Sequence, residues 1–263
     1  MALRRQTRTR LYRAVMYVIF FGVIAAFALS VNWSKAIPQF FNLEVAAKLF
    51  PEIITVALRN TILYTIIAFA GGLLLGILFA LMKLSSIALF RWFATAWIEL
   101  FRGLPALLTI FSVAFIVPIA FGWKVPGGPV GAGLLGLMLV ASAYIAEVIR
   151  AGIEAVPKGQ TEAARSLGMS PMKTMFWIIL PQGFRIIIPP MTNELVLLLK
   201  DTSLVFIAGS FIWSKELTTF ARDANTAYAN ATPLIVASLL YLVVTIPLTR
   251  YTAWLERRMA RER

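Results

Sequence analysis

The 263-residue sequence contains no cysteine. That excludes a disulfide framework, thiolate metal sites and a cysteine nucleophile. Histidine is also absent, which removes the commonest general base and the commonest metal ligand. No stretch reads G-x-x-x-x-G-K-[ST], so the chain shows no phosphate loop and no nucleotide site of its own. Charge is scarce, at 14% of residues against about a quarter in an ordinary soluble domain. Acidic residues are the scarcest, 12 against 25 Lys and Arg, for a net charge of +13.

What is abundant is apolar. Sixty per cent of residues are hydrophobic and the mean hydropathy is +0.81. A soluble fold of this size cannot hide that much apolar surface, so the chain reads as an all-α integral membrane protein. A bilayer crossing needs about 20 apolar residues, and six segments qualify. They are Ala14 to Val31, Thr61 to Met82 (entered near Ile53), Gly103 to Trp123 (beginning near Trp92), Val125 to Ala146, Phe184 to Trp213, and Thr232 to Thr249. The fourth begins in a Pro/Gly-rich turn. The fifth is interrupted by Glu194, Lys200 and Asp201.

The basic residues orient the spans. Arg4, Arg5, Arg8, Arg10 and Arg13 precede the first, and Lys83 and Arg91 follow the second. Arg150, Lys158, Arg165, Lys173 and Arg185 lie between the fourth and fifth; Arg250, Arg257, Arg258, Arg261 and Arg263 follow the sixth. The opposite side holds Lys35, Lys48, Lys124, Lys215 and Arg222. The positive-inside rule then places both termini in the cytoplasm, as an even span count also requires. The positive charge thus belongs to cytoplasmic loops beside lipid, and no nucleic-acid partner is expected. Trp33, Trp123, Trp213 and Trp254 fall near span ends, where indoles anchor at headgroup level.

The first span reads as a retained signal-like segment, since no small-x-small cleavage site follows it. Residues 38–50 read as an amphipathic helix on the outer surface or as a linker. Ser214 to Ala231 is polar and too long for a tight turn, so a short helix or hairpin is expected there. Residues 1–52 then comprise a basic segment, an extra span and an outer connection. Residues 53–258 form the main membrane domain, and 259–263 a basic tail.

The connection between the fourth and fifth spans, at about 155–181, has the most specific pattern. Pro157 and Gly159 end the fourth span. Thr161 or Gly159 can cap a helix through Glu162, Ala163, Ala164 and Leu167, and Gly168 ends it. Ser170 then caps a second helix with Pro171 in its first turn. The first helix is too short to be stable alone, so it either lies on its own membrane domain or needs a docking partner.

Glu162-Ala163-Ala164, three residues, Gly168, nine residues, then Ile178-x-Leu180-Pro181 resembles the EAA loop of bacterial ABC importer permeases. Phe101-Arg102-Gly103-Leu104-Pro105 is similar to an element of the polar amino-acid permeases, with Leu104 where threonine is usual. Ala143-Tyr144 through Glu147, Arg150 and Gly152-Ile153, and Leu199-Lys200-Asp201-Thr202-Ser203-Leu204, resemble the same subfamily (histidine, glutamine, glutamate and arginine permeases). The resemblance implies a type I ABC importer permease fold and a membrane subunit importing glutamate, glutamine or a related polar amino acid. It implies that Gly159, Gln160, Glu162, Ala163, Ala164, Leu167 and Gly168 dock on a cytoplasmic ATPase dimer. ATP and Mg would sit on that ATPase, so the chain is a transport subunit rather than an enzyme and binds no cofactor itself. A second permease subunit, identical or related, and an external amino-acid-binding protein are implied as further partners.

Ionisable groups inside spans are functional candidates by default. Glu194 and Asp201 are seven residues apart and share a helix face; Asn193 and Lys200 form the neighbouring stripe. Asp201 can take an amino acid's ammonium and Lys200 its carboxylate, with Thr202 and Ser203 fixing orientation. The alternative is an internal ion pair of Lys200 with Glu147 or Glu99. Arg102 and Glu99 read as a structural or gating pair at the inner mouth, beside Tyr144 and Glu147. Pro189 and Pro190 should kink the fifth helix or delay its start. Gly72 and Gly76 have small-xxx-small spacing and should let helices pack closely, with Gly71 and Met138 serving the same packing.

Two other classes remain open on these residues. The intramembrane charges suit a gradient-driven transporter or channel, which leaves the EAA-like loop unexplained. A membrane hydrolase would need a Ser-Lys dyad such as Lys200 and Ser203, and no oxyanion site accompanies it. An ABC permease for another solute class is the remaining alternative.

Overall fold

The computed structural model describes residues 2–261; Met1 and, in the basic tail, Glu262 and Arg263 lie outside them. Among the described residues the structure is helical throughout and has no strand. Helix α1 (Ala2–Ser30) leads to two short helices, α2 (Trp33–Phe40) and α3 (Leu43–Lys48). A π-turn at Ile53–Leu58 opens α4 (Arg59–Leu84), and α5 (Ala88–Gly103) follows. Then come α6 (Ala106–Phe111), a π-turn at Ser112–Ile116, α7 (Val117–Phe121) and the long α8 (Gly128–Glu154). Beyond α8 lie α9 (Lys158–Ser166), α10 (Pro171–Thr174), a π-turn at Met175–Ile179, and α11 (Leu180–Asp201). A 3₁₀ segment, Thr202–Ala208, carries the chain to α12 (Leu217–Tyr228) and α13 (Thr232–Arg261).

Four of the expected crossings are single helices: Tyr12–Ser30, Ile53–Leu84, Gly128–Glu154 and Thr232–Met259. The third is different from expectation. It is two arms, Ala88–Gly103 and Ala106–Phe121, bent by 108°. The cause is local: Leu104 and Pro105 are extended, since Pro105 disfavours helical geometry in the residue before it. The fifth also differs. Its helix starts at Leu180, ahead of Phe184, and passes through Pro189 and Pro190 without a late start. It ends at Asp201, well short of Trp213. Arg185, Glu194, Lys200 and Asp201 keep α11 outside the set of helices apolar enough to cross alone.

Helix α8 is the hub, with 61% of its apolar window buried. Lipid tails are as apolar as leucine, so helices associate through van der Waals fit rather than hydrophobic transfer. Small residues supply that fit. A Cβ added to Gly72 of α4 would stand 2.7 Å from the Ala141 Cβ of α8. Tyr64 and Ala68 of α4, Leu137, Ala141 and Ile145 of α8, and Leu198 of α11 form one buried cluster. Trp97 of α5 closes the seam by donating to the Ser142 hydroxyl at 3.0 Å.

The segment before α12 is held by polar side chains at the N-terminal end of α4. The Asn60 amide donates to the Trp213 and Lys215 carbonyls at 2.9 and 3.1 Å, and the Tyr64 hydroxyl to the Ser214 carbonyl at 2.8 Å. The expected outer helix is α12. Glu216, 1% exposed, caps it by accepting from the Thr218 and Thr219 amides at 2.6 and 2.7 Å. Burial pushes the Glu216 carboxyl up from the ordinary range, against the lowering effect of the Thr218 and Thr219 hydrogen bonds. Residues 38–50 form neither one continuous helix nor a bare linker: they hold the end of α2 and all of α3, separated at Asn42, which caps α3 and donates its N–H to Thr232 Oγ1 at 2.9 Å.

Candidate functional site

Two features stand apart from the packed helices. One is a cavity of about 380 Å³ between the bent arms, α8 and α11. The break between α5 and α6 supplies Arg102, Gly103, Leu104 and Pro105; α8 supplies Val140 and Tyr144; α11 supplies Glu194, Leu198 and Asp201. The Arg102 guanidinium lies 5.6 Å from the Tyr144 ring centroid, within cation–π range. Glu194 lies within electrostatic reach of both Asp201 and Arg102. One cation, two carboxylates and an aromatic face therefore share a cavity whose other walls are apolar. Such a site can hold a small zwitterion and exclude lipid.

The structure brings Glu194, Asp201, Arg102 and Tyr144 together and sends the other candidates elsewhere. Lys200 and Ser203 line a separate cavity of about 300 Å³ with Thr218 and Tyr241. Thr202 is fully buried and donates to the Leu199 carbonyl at 2.6 Å. Among the described residues Lys200 forms no ion pair with Glu147 or Glu99, and Arg102 forms none with Glu99. Glu147 instead accepts from Lys83 of α4 at 3.2 Å and from Arg150. Arg150 also reaches Glu154, so this chain of ion pairs ties the C-terminal ends of α4 and α8. Held by Arg150 and Lys83, Glu147 is a structural link between α4 and α8.

The second feature is α9. Pro157 precedes it as the N-cap, in place of Thr161 or Gly159. Gly168 ends it as expected, in the left-handed region at φ +83°. The Met169 amide there bonds back to the Ala164 carbonyl at 3.1 Å, a Schellman closure. Ser170 caps α10 by accepting from the Lys173 amide at 3.3 Å. Ala164 is buried at 4% exposure, and Leu167 is 84% exposed. Gly159, Gln160, Glu162, Ala163 and Gly168 are exposed with it. The helix thus turns one alanine inward and presents a small apolar and acidic face outward.

Sequence reasoning did not single out Phe69, Val140 or Leu198 as cavity walls, because apolar residues at helical spacing look alike wherever they face. It also missed the helix break, although Pro105 after Gly103-Leu104 was a usable signal.

The structure is a multi-helix membrane bundle with a charged interior cavity and a short exposed helix beyond α8. Residues 72–261 match the family described as the binding-protein-dependent transport system inner membrane component, and the chain belongs to that family. Within it the chain is an amino-acid ABC transporter permease subunit. It is 39% identical over 202 residues to a probable glutamine ABC transporter permease protein, GlnM, of Bacillus subtilis, covering 76% of this chain and 90% of that one. It is 35% identical over 221 residues to the arginine transport system permease protein ArtQ of the same organism, covering 83% and 98%. A solved amino-acid ABC transporter, crystallised with histidines, superposes with a TM-score of 0.74 at 36% identity over 81% of this chain and 96% of that chain. The all-α, type I importer permease fold and a multi-pass inner-membrane location follow.

Proposed function

We propose that the chain carries a polar amino acid with an amide or cationic side chain through the cavity lined by Arg102, Glu194 and Asp201. The charge count of that cavity carries the reading. Arg102 takes the α-carboxylate and one of the two carboxylates takes the α-ammonium. The remaining carboxylate then faces the substrate side chain. It attracts an amide or a cation and repels a second carboxylate, so glutamine or a basic amino acid is favoured over glutamate by roughly ten-fold or more. Tyr144 supplies an aromatic wall beside Arg102.

Transport is driven from outside this chain. The exposed face of α9, with Gly159, Gln160, Glu162, Ala163, Leu167 and Gly168, docks on a cytoplasmic ATPase dimer that binds ATP and Mg. Docking ATP-bound and ATP-free ATPase with different stability in two conformations shifts the cavity between its two openings. A second permease subunit completes the path, and an external amino-acid-binding protein delivers substrate at the outer face. Both termini lie in the cytoplasm, from the distribution of basic residues.

The test is ATP-dependent uptake in proteoliposomes holding the full complex, with labelled glutamine and unlabelled glutamate, arginine and histidine as competitors. Glutamine or arginine competes well and glutamate poorly on this reading. Asp201→Asn lowers discrimination against glutamate, and Glu162→Arg abolishes uptake at normal membrane levels. Unchanged selectivity in both Asp201→Asn and Glu194→Gln removes the cavity from the substrate role. Full uptake with Glu162→Arg removes α9 from the ATPase role.

A further inference from the structure

Helix α9 rests lightly on the rest of the chain. Beneath it lies a cavity of about 760 Å³ lined by Val156, Thr161, Arg165, Thr174, Met175 and Ile179. A displaced α9 would therefore deform this gap before it moved anything beyond it. One side-chain bond bypasses the gap. The Gln182 amide donates to Gln160 Oε1 of α9 at 3.3 Å.

Gln182 stands at an unusual point of the helix it belongs to. The preceding turn, Met175–Ile179, is a π-turn, in which the Leu180 amide reaches back five residues to the Met175 carbonyl. Proline follows at position 181 and has no N–H to donate. The joint between α10 and α11 is thus short of normal i to i−4 bonds, and such π-turns concentrate at functional sites. The Gln182 amide also donates to the Ile178 carbonyl at 2.8 Å, inside this joint. The same side chain therefore bonds both the joint and α9.

Below the joint the connection is stiff. Gly152 of α8 faces Gly183 and Ile187 of α11: a Cβ at Gly152 would stand 2.3 Å from Ile187 Cγ1 and 3.5 Å from the Gly183 carbonyl. Ile153, Val156, Ile179 and Ile187 pack around that crossing in one buried cluster. From there α11 continues as a single helix, through Pro189 and Pro190, to Glu194 and Asp201. A displacement delivered at Gln182 is carried along α11 to the two carboxylates, while Arg102 stays on the separate α5–α6 break.

We infer that Gln182 is a positioning residue for transport: it fastens the coupling helix to the π-turn joint and so passes motion of α9 to the carboxylates of the cavity. This rests on the reading that α9 receives ATPase movement. It concerns how much transport each hydrolysed ATP produces, and it places no substrate contact at Gln182.

The test uses the complete complex in proteoliposomes and reads two rates together, ATP hydrolysis and labelled amino-acid uptake. Gln182→Leu keeps the side-chain bulk and removes both hydrogen bonds. The expected result is normal assembly and an uptake-to-hydrolysis ratio lowered about five-fold, the size of one net hydrogen bond. A lost packing contact would lower both rates in proportion and leave the ratio alone. Gln182→Lys keeps a hydrogen-bond donor at that position and leaves the ATPase-facing residues of α9 untouched, and its ratio stays near that of the unaltered complex. An unchanged ratio in Gln182→Leu, or a ratio lowered equally in Gln182→Lys, overturns the inference. Absence of ATP-driven uptake in the unaltered complex overturns the underlying reading instead, so the two failures are told apart.

Discussion

Helices α1 and α8 have the same mean hydropathy, 2.0, over their apolar windows, yet none of the first window is buried and 61% of the second is. Both are long enough to cross a bilayer, and in hydropathy they are indistinguishable. The difference lies in residue size. Helix α1 is dominated by Tyr17, Phe20, Phe21, Ile24 and Phe27, all exposed. Helix α8 places Gly133, Gly136, Ala141, Ala143 and Ala146 against its neighbours. In lipid, large side chains are already solvated, and close approach of backbones is what yields new contacts. Hydropathy therefore reports that a helix crosses, and small residues report what it packs against.

That contrast can be broken first at the α4–α8 seam. Gly72→Leu drives a side chain into Ala141 and should cost about 1–3 kcal/mol, read as a lowered Tm and loss of the complex on size exclusion in detergent. An unchanged Tm would mean the seam is looser than its 2.7 Å approach indicates. Next comes Trp97→Phe, which keeps the ring and removes the bond to the Ser142 hydroxyl. A loss of about 1 kcal/mol is expected, measured by chemical denaturation in nanodiscs. Smallest is Gly22→Leu in α1, where nothing lies within 4 Å of an added Cβ. The change should stay within about 0.5 kcal/mol; a large loss would show that another chain covers this face.

The segment of α9 and α10 was the part most legible from the sequence. Gly168 announced the end of α9 because only a residue without a Cβ adopts φ +83° without strain. Ser170 and Pro171 announced the start of α10 for equally local reasons. The cavity was half legible. Glu194 and Asp201, seven residues apart, complete almost two whole turns and face the same way, and both line it. Lys200 and Asp201 are neighbours, and at 3.6 residues per turn neighbours point about 100° apart. Chain adjacency thus suggested a pair that helix geometry divides, with Lys200 turned towards Tyr241 and α12. The Lys83–Glu147–Arg150 link was hidden for another reason, since Lys83 and Glu147 sit on different helices and only packing of α4 on α8 joins them.

By itself the sequence determined which segments are apolar enough to cross, where the short cytoplasmic-type helices stop, and that two acidic residues share one face of a late helix. These follow from sums and spacings within one segment, which need no knowledge of neighbours. Tertiary structure decided the rest: that the Arg102 side of the break faces the carboxylates of α11 in one cavity, the partners of Glu147, and the bond from Gln182 to Gln160. Each depends on how a helix is rotated about its own axis, and that rotation is set by the fit of its small residues against other helices.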